Sequence, residues 1–258
     1  ALPELRMNVK HPGYGVQRAA AFALGQIGPT AVAVVPDMLQ LMEFRHMRIS
    51  IAQAIGKIGP KALPFLKKEL QREKTHLKVG IIEILGKMGP QALPVLETAL
   101  RDRHGYVKRM AYHSIFRLGL PDEQTLRYVR KALREQDDST QRVALTVVMK
   151  LGPQAAPLVL SVQKLLKDRN FNIRSMAKTA LASMGSKAIP ALLQVIAKDE
   201  KAFYWRANRA LRKNADAMCP ALLPYLKHRD WRRRQAAFLL LQNFHPLPTQ
   251  CADAAMTA

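Results

Sequence analysis

The sequence predicts an all-α protein, a right-handed α-solenoid of about eight stacked helix pairs that begins with an unpaired second helix. Two observations carry this prediction. The 258-residue chain is dominated by Ala, Leu, Lys, Arg and Gln and has 6% aromatic residues, a composition that favours helix over strand. A short motif with Gly or Gly-Pro at its centre also returns about every 30 residues, which indicates stacked helical repeats.

The repeated motif reads ALGQIGPTA, AIGKIGPKA and ILGKMGPQA in its clearest copies. Successive marker residues are 31, 30, 30, 33, 33 and 30 positions apart. The markers are Gly28, Gly59, Gly89, Gly119, Gly152, Gly185 and Ala215. The last two copies are recognised only by their spacing from the earlier copies. The spacing therefore predicts a unit of constant size that is copied along the whole chain.

Each repeat is expected to contain two helices. Apolar residues recur at helical spacing before the marker, as at Ile51, Ala54, Ile55 and Ile58. This first helix ends at the marker, because Gly tolerates a left-handed backbone and the following Pro cannot continue the helix. The second helix begins at a Pro, whose missing N–H would have no partner in a first turn. These prolines are Pro64, Pro94, Pro157, Pro190 and Pro220.

The opening letters ALPEL match ALPFL at Ala62 and ALPVL at Ala92, which lie inside repeats. In each copy the first core residue of the next repeat follows 15 positions after the Ala. The chain is therefore expected to begin with a second helix and to be a segment of a longer solenoid. We expect one domain over 1–258, with a half repeat at 1–15, repeats at 16–46, 47–76, 77–106, 107–139, 140–172, 173–202 and 203–230, and a C-terminal repeat or cap at 231–258.

Two stretches, MRISIAQAIGKIGPKALPFLKKEL and LKVGIIEILGKMGPQALPVLETAL, resemble HEAT repeats of the short bacterial type that is also seen in phycobilin lyases. The resemblance covers nearly the whole chain and implies a stacked, armadillo-like helical architecture. It does not imply an activity, because fold does not fix function. It leaves open a relative of the bilin lyases or of the HEAT-like alkylpurine DNA glycosylases.

Positive charge dominates the surface chemistry, with 41 Lys and Arg against 19 Asp and Glu, a net charge of +22 and an isoelectric point near 10.5. Such a balance favours an anionic partner, either an acidic protein or nucleic acid. Aligned by register, one basic column lies seven positions after the second-helix Pro. Its members are Gln71, Arg101, Lys131, Lys164 and Lys227. We predict that this column forms a basic stripe on the second helices and binds the partner.

A second basic column lies on the first helices. Its members are Arg48, Lys78, Lys108, Arg174 and Arg232. Acids lie at the junctions just before these helices, where they are expected to cap them or to pair with the column. The junction acids are Asp102, Asp138, Asp168, Asp199 and Asp230. A structural role is therefore favoured over partner binding for this column.

The C-terminal region combines aromatic and basic residues in FYWRANRALRK and KHRDWRRRQ. Arg and aromatic planes together can hold phosphate and stack on bases. The candidate residues are Trp205, Arg206, Arg209, Arg232, Arg233 and Arg234. The competing interpretation of this region is a solvated basic face. For Trp231 there is another alternative, a core position, because it aligns with Val107 and Ile173.

No catalytic residue, cofactor or metal site is predicted. The phosphate-binding glycine loops and the nucleophile elbow do not occur, and no His-Glu dipeptide of the iron-binding HEAT hydroxylases is found. Most of the seven His residues fall near repeat junctions, where exposed turns are the favoured interpretation. Asp230 beside Trp231 is the one faint candidate in the sequence for a glycosylase-like acid, and it is not adopted.

Cys219 and Cys251 are too few for a disulfide framework, which slightly favours a reducing, cytoplasmic location. Cys219 precedes Pro220 at an expected helix start, and a buried unreactive thiol is favoured there. No stretch of 18 uncharged apolar residues is expected, so no transmembrane segment is predicted. The sequence as a whole favours a non-enzymatic scaffold for an acidic protein partner. A module that binds the RNA or DNA backbone is the second interpretation, and an enzyme is the third.

Overall fold

The computed structural model describes residues 2–197, 205–244, 247–249 and 251–252, without the side chains of 205–208. The residues described form sixteen α-helices and no strand, which confirms the all-α class. The first helices of the repeats are α2 (Tyr14–Ile27), α4 (Arg48–Ile58), α6 (Thr75–Met88), α8 (Gly105–Ile115), α10 (Asp138–Leu151), α12 (Phe171–Ser183), α14 (Trp205–Lys213) and α16 (Trp231–Leu241). The second helices are α1 (Leu2–Val9), α3 (Val35–Leu41), α5 (Leu63–Leu70), α7 (Leu93–Ala99), α9 (Asp122–Ala132), α11 (Val159–Lys164), α13 (Ile189–Ile196) and α15 (Ala215–Leu226).

The chain divides into two compact units, residues 1–121 and 122–258. In the first unit, α2, α4, α6 and α8 pack on one another in chain order, and each second helix packs on the first helix that follows it. The core lies between these two layers, where Ile51, Ile55, Ile81 and Leu66 have no exposed surface. The predicted apolar stripes of both helix types are therefore confirmed in this unit.

Helices α2 and α4 approach closely because α2 carries a glycine at their crossing. A Cβ added to Gly25 would lie 2.8 Å from the Cα of Ala54, well inside van der Waals contact. The small residues at this crossing thus set the spacing between two successive repeats.

The second unit repeats the arrangement with α10, α12 and α14 in contact in chain order. Helix α9 packs on α10 and α11 packs on α12, while α13 contacts both α12 and α16. Ile173, Leu181, Leu192 and Leu222 are fully buried between the layers. The core of this unit is therefore built from the same positions of the repeat as that of the first.

The predicted marker glycines are the positive-φ residues of the described chain, which confirms their role. They are Gly28, Gly59, Gly89, Gly119, Gly152 and Gly185. At Gly59, φ is 77° and ψ is −153°, a region essentially reserved for Gly, and its N–H donates to the carbonyl of Ile55. Ala215 differs: α15 begins there directly, and the side chain of Asn214 donates to the carbonyl of Ala182 in the preceding repeat.

The prolines of the second helices behave as predicted in three repeats. Pro64, Pro94 and Pro190 lie within the first two positions of α5, α7 and α13. The other two positions are corrected. Pro157 lies in a 3₁₀ turn, Gly152–Leu158, that precedes α11, and Pro220 lies inside α15, five residues after the helix begins at Ala215. The repeat that contains Pro220 has no glycine turn, so its second helix, α15, starts earlier than the repeat spacing predicts.

A disulfide joins Cys219 of α15 to Cys251, which is 32 positions away, about the length of one repeat. Both residues are fully buried. The expectation of an unpaired thiol at a helix start is therefore wrong: Cys219 lies in the second turn of α15 and is bonded. The argument for a reducing location, which depended on unpaired cysteines, loses its basis, because disulfides persist mainly in oxidising compartments.

Two stretches, Tyr14–Leu41 and Asp138–Lys167, have the length and mean hydropathy of a membrane-spanning helix. One or two such stretches are weak evidence for a membrane span, so the prediction of no transmembrane segment is retained. Each is divided into two α-helices by a 3₁₀ turn, at Gly28–Val34 and Gly152–Leu158. Buried core helices of other proteins meet the same criterion, and Leu24 and Val148 within these stretches are fully buried.

Candidate functional site

The predicted second-helix column lies on the surface. Gln71, Arg101, Lys131, Lys164 and Lys227 are all exposed. Each lies in the last turn of a second helix or just after it, where a positive charge also complements the helix dipole. In the first unit, Gln71 and Arg101 line one cavity, but Glu73 and Asp102 line it as well. This cavity therefore carries mixed charge.

In the second unit, Lys164 lies in a cavity of about 1060 Å³ between α9, α11, α12 and α13. Six of the residues lining this cavity are basic, and no Asp or Glu of the described chain lines it. We call it the basic groove. Its basic residues are Arg130, Arg134, Lys164, Lys167, Arg174 and Lys178. Lys131 is exposed but is not among the residues that line it.

The cations of the basic groove fall into two groups. Arg130 donates to the carbonyl of Pro157, and Arg174 donates to the carbonyls of Asp168 and Arg169, so both are held in place. Arg134, Lys164, Lys167 and Lys178 make no side-chain hydrogen bond or ion pair with any residue that the structure describes. These four charges are available to an anionic partner.

The basic groove also has an aliphatic component that sequence reasoning missed. Leu160, in α11, lines it and is 74% exposed, and Pro157, Leu166 and Val195 line it too. The sequence carries no clear signal for it, because the residues at the same offset from the second-helix Pro are Lys67 and Glu97 in two repeats but Leu193 and Leu223 in two others.

The first-helix column has mainly a structural role. The ammonium of Lys78 forms a buried ion pair with Asp102 at 2.5 Å. Arg48 and Arg174 instead donate to main-chain carbonyls six residues earlier, at Met42 and Asp168. The favoured prediction of a structural role therefore agrees with these contacts, although two of these three residues bond to a main-chain carbonyl rather than to a junction acid.

Asp102 receives three hydrogen bonds, from Lys78 and from both the main chain and the ring of His104. Burial by itself raises the pKa of Asp102, but these hydrogen bonds outweigh burial and hold the pKa below its usual value. Asp102 therefore stays ionised at neutral pH and fixes the junction before α8.

The C-terminal residues occupy different positions in the repeat from those predicted. Asp230 is the N-cap of α16, so Trp231 is the first residue of the helix, as Phe171 is in α12, and it is 59% exposed. The interpretation that Trp231 fills a core position is wrong. Arg234, four residues after the N-cap, takes the column position instead of Arg232 and donates to the carbonyls of His228 and Arg229.

Arg209, Arg232 and Arg233 are exposed, and the guanidinium of Arg232 lies 5.7 Å from the ring centre of Trp231. The side chains of Trp205 and Arg206 lie outside the described residues. Basic and aromatic groups thus meet at the start of α16, on a surface separate from the residues that line the basic groove.

The capping predicted for the junction acids is confirmed at Asp230, the N-cap of α16, which accepts from the N–H of Arg232. Asp168 instead accepts from the N–H of Asn170, which is itself the N-cap of α12. In the α10 junction the N-cap is Asp137 rather than Asp138. Asp199 lies outside the described residues. His11 and His228 accept main-chain N–H groups in exposed turns, in agreement with their predicted location.

Consecutive helix pairs that bury a shared core and expose aligned charges define an α-solenoid of helical repeats, as predicted. Models of two repeat families match the chain: HEAT repeats over residues 63–148 and 126–212, and the PBS lyase HEAT-like repeat over 16–43. The chain belongs to the HEAT-repeat family. A comparison with curated protein sequences gives no match.

Solved structures with a similar fold include the karyopherin Kap121p, alone and bound to the extreme C-terminus of the protein phosphatase Cdc14p. Both have a TM-score of 0.59 and 15% identity, and the match covers 99% and 98% of this chain. The chain spans about a third of the length of Kap121p, 34% in each case. Human deoxyhypusine hydroxylase matches at 19% identity and a TM-score of 0.39, over 95% of this chain and 96% of the hydroxylase.

Proposed function

We propose that the protein is a non-enzymatic HEAT-repeat scaffold that binds an acidic protein partner on its exposed basic surface. The basic groove is the main binding region, and Lys131 and Lys227 are further exposed cations on second helices of the same unit; Arg101 is the exposed cation of the column in the first unit. The non-enzymatic assignment is based on the sequence, in which no catalytic motif occurs. Solenoids provide extended binding surfaces without a catalytic pocket.

The observation that carries this proposal is the lining of the basic groove. Four cations that have no side-chain hydrogen bond or ion pair with the described residues line the groove together with an exposed leucine, and none of the described lining residues is acidic. Carboxylates of a partner would neutralise the cations, while an apolar side chain of the same partner would cover Leu160. Single-stranded nucleic acids bind through aromatic platforms, whereas the apolar lining here is aliphatic.

The fold of Kap121p, which this chain shares, holds the extreme C-terminus of another protein in one solved complex. A solenoid of this kind can therefore hold a segment of polypeptide chain. This precedent supports a peptide-like partner for the basic groove.

Nucleic-acid binding is the second candidate, and it is supported by a different surface. Trp231 is exposed beside Arg232, and Arg233 lies next in the chain. An exposed indole beside guanidinium groups suits base stacking with phosphate contacts. This candidate uses the start of α16 rather than the basic groove.

A fluorescence polarisation titration distinguishes the two candidates. Three labelled probes are used: a heptapeptide with the sequence Glu-Glu-Glu-Leu-Glu-Glu-Glu, a generic single-stranded RNA and a generic duplex DNA. Each probe is titrated over a series of salt concentrations. We expect the peptide to remain bound at about 0.15 M salt, because its leucine contact is not screened, while RNA and DNA are released.

Absence of peptide binding even at low salt would remove the proposed function. Tight RNA or DNA binding with a steep salt dependence, abolished by changing Arg232, Arg233 and Arg234 to Gln, would establish the second candidate instead. The same triple variant should leave peptide affinity within about twofold, because these residues do not line the basic groove.

A further inference from the structure

A groove of about 740 Å³ in the first unit runs between the first helices α2 and α4. Each helix contributes four residues at positions i, i+3, i+4 and i+7, which form one stripe along an α-helix. These residues are Gly15, Arg18, Ala19 and Phe22 of α2, and Ser50, Gln53, Ala54 and Lys57 of α4. We call this surface the α2–α4 groove. It follows two neighbouring helices for about two turns of each and shares no lining residue with the basic groove.

Phe22 is an exposed aromatic residue at a position that is otherwise polar. It lies six residues before the marker Gly28 and is 59% exposed. The other repeats carry Gln53, Glu83, His113, Thr146, Thr179 and Arg209 at this position. On α4, Ile49 lies one turn before Gln53 and is 72% exposed, so apolar surface continues beside the groove. The core does not use these side chains, and exposed aromatic residues are typical anchors of protein interfaces.

The charges of the α2–α4 groove are positive. Arg18 and Lys57 line it, and no Asp or Glu within the described ranges does so. Arg18 makes no side-chain hydrogen bond or ion pair with any described residue. Lys57 donates to the side chain of Gln26 at 2.6 Å, and its ammonium lies 5.2 Å from the ring centre of Phe22. A partner that presents apolar side chains flanked by carboxylates therefore complements this groove.

The shape of the α2–α4 groove suits a third helix. Gly15 and Ala19 are small and exposed, and a Cβ added to Gly15 would meet no atom within 4 Å. Small side chains at a contact allow two helix axes to approach closely. Amphipathic helices bind grooves of this kind through apolar anchors at i, i+3, i+4 and i+7, the same spacing that the lining residues have.

We propose that the α2–α4 groove is a second docking surface, which binds an acidic amphipathic helix of a partner protein. The apolar stripe of that helix covers Phe22, and carboxylates beside the stripe contact Arg18 and Lys57. Two other occupants fit the observations less well. A second copy of this chain is opposed by its net charge of +22. A bilayer surface is flat, so it would reach Phe22 without filling the groove between the two helices.

The test uses the full chain and a labelled helical peptide of about 18 residues, long enough to form a helix in water. The peptide has leucines at i, i+3, i+4 and i+7 along one face and glutamates on both sides of this stripe. A peptide of the same composition, scrambled so that the leucines form no stripe, is the control. We expect the helical peptide to bind about tenfold more tightly than the scrambled one at about 0.15 M salt. Equal affinities would show that charge alone is recognised and would overturn the proposal.

The variant Phe22→Gln is expected to bind the helical peptide about tenfold more weakly. Glutamine is the residue that α4 carries at the equivalent position, Gln53, and Phe22 is exposed, so the fold is preserved. Tyr106→Gln is the matched control, because Tyr106 is a 49% exposed aromatic residue of α8 in the same unit and does not line the groove. It should change the affinity by less than about twofold. A Phe22→Gln variant that binds as tightly as the wild type contradicts the proposal.

A hydrogen-exchange footprint of the wild-type chain needs no variant. We expect the helical peptide to slow exchange in α2 and α4, whereas protection confined to α9, α11, α12 and α13 would place it in the basic groove and overturn the proposal. Binding to phosphatidylserine vesicles, or a dimer in light scattering, would replace the helix by a bilayer or a second copy if Phe22→Gln abolished it. Binding of the glutamate–leucine heptapeptide at the basic groove is measured separately, so either proposal can fail while the other stands.

Discussion

Replacing Arg134, Lys164 and Lys167 together with glutamate is expected to weaken binding of the acidic heptapeptide about 100-fold. Each exposed ion pair contributes up to about 1 kcal/mol, and charge reversal replaces each attraction by a comparable repulsion. The three residues make no side-chain hydrogen bond or ion pair with the described part of the chain. The free energy of unfolding should therefore change by less than about 1 kcal/mol, and fluorescence polarisation with thermal unfolding checks both values.

The matched control reverses Lys61, Lys67 and Lys68, three exposed lysines of the first unit that do not line the basic groove. This variant has the same change in net charge as the Arg134, Lys164 and Lys167 variant. Its affinity for the peptide should fall only about threefold, the part that depends on the overall electrostatic field of the protein. Equal losses in the two variants would show that the protein binds through net charge rather than at the basic groove.

The double variant Cys219→Ala, Cys251→Ala is expected to lower the local stability of the C-terminal repeats by about 2–4 kcal/mol. The disulfide closes a loop of about one repeat, with 32 positions between the cysteines. Without it, the segment after α16 can separate from α15 at a much smaller entropic cost. Hydrogen exchange of amides in α15 and α16 should then accelerate about 30-fold or more.

Two comparisons control this prediction. Amides of α4 and α6, in the other unit, should exchange at wild-type rates. A reducing agent should accelerate exchange in the wild type and leave the double variant unchanged. Identical exchange of α15 and α16 in wild type and variant would mean that packing alone holds this end, and that the disulfide is not a stabilising element of it.

Most of the fold could be predicted from the sequence because one local rule recurs. Gly59 and its equivalents adopt a backbone conformation that other residues avoid, so each marks the end of a first helix wherever it occurs. The prediction failed where this marker is replaced by Ala215. There α15 begins early, and Pro220 lies inside the helix.

The register error at Trp231 has a related cause. The start of α16 is set by the capping side chain of Asp230, whereas counting from the preceding repeat assigned Trp231 to the core. The buried positions of α16 are Ala236, Ala237, Leu240 and Leu241. The N-cap, unlike constant spacing, predicts that Trp231 is an exposed residue of the first turn, at the repeat position equivalent to Phe171.

The candidate site was only partly predictable. Lys164 followed from the register, but the basic groove also needs Arg134, Lys167 and Lys178, which come from other positions of the repeat and meet only in three dimensions. Pairing of Cys219 with Cys251 depends on such proximity too.

The most direct test of the proposed binding region is a hydrogen-exchange footprint of the full chain with and without the acidic heptapeptide. We expect slower exchange in α9, α11, α12 and α13, which carry the basic groove, and unchanged exchange at the start of α16. Protection confined to α16, or protection nowhere along the described helices at saturating peptide, would contradict binding at the basic groove.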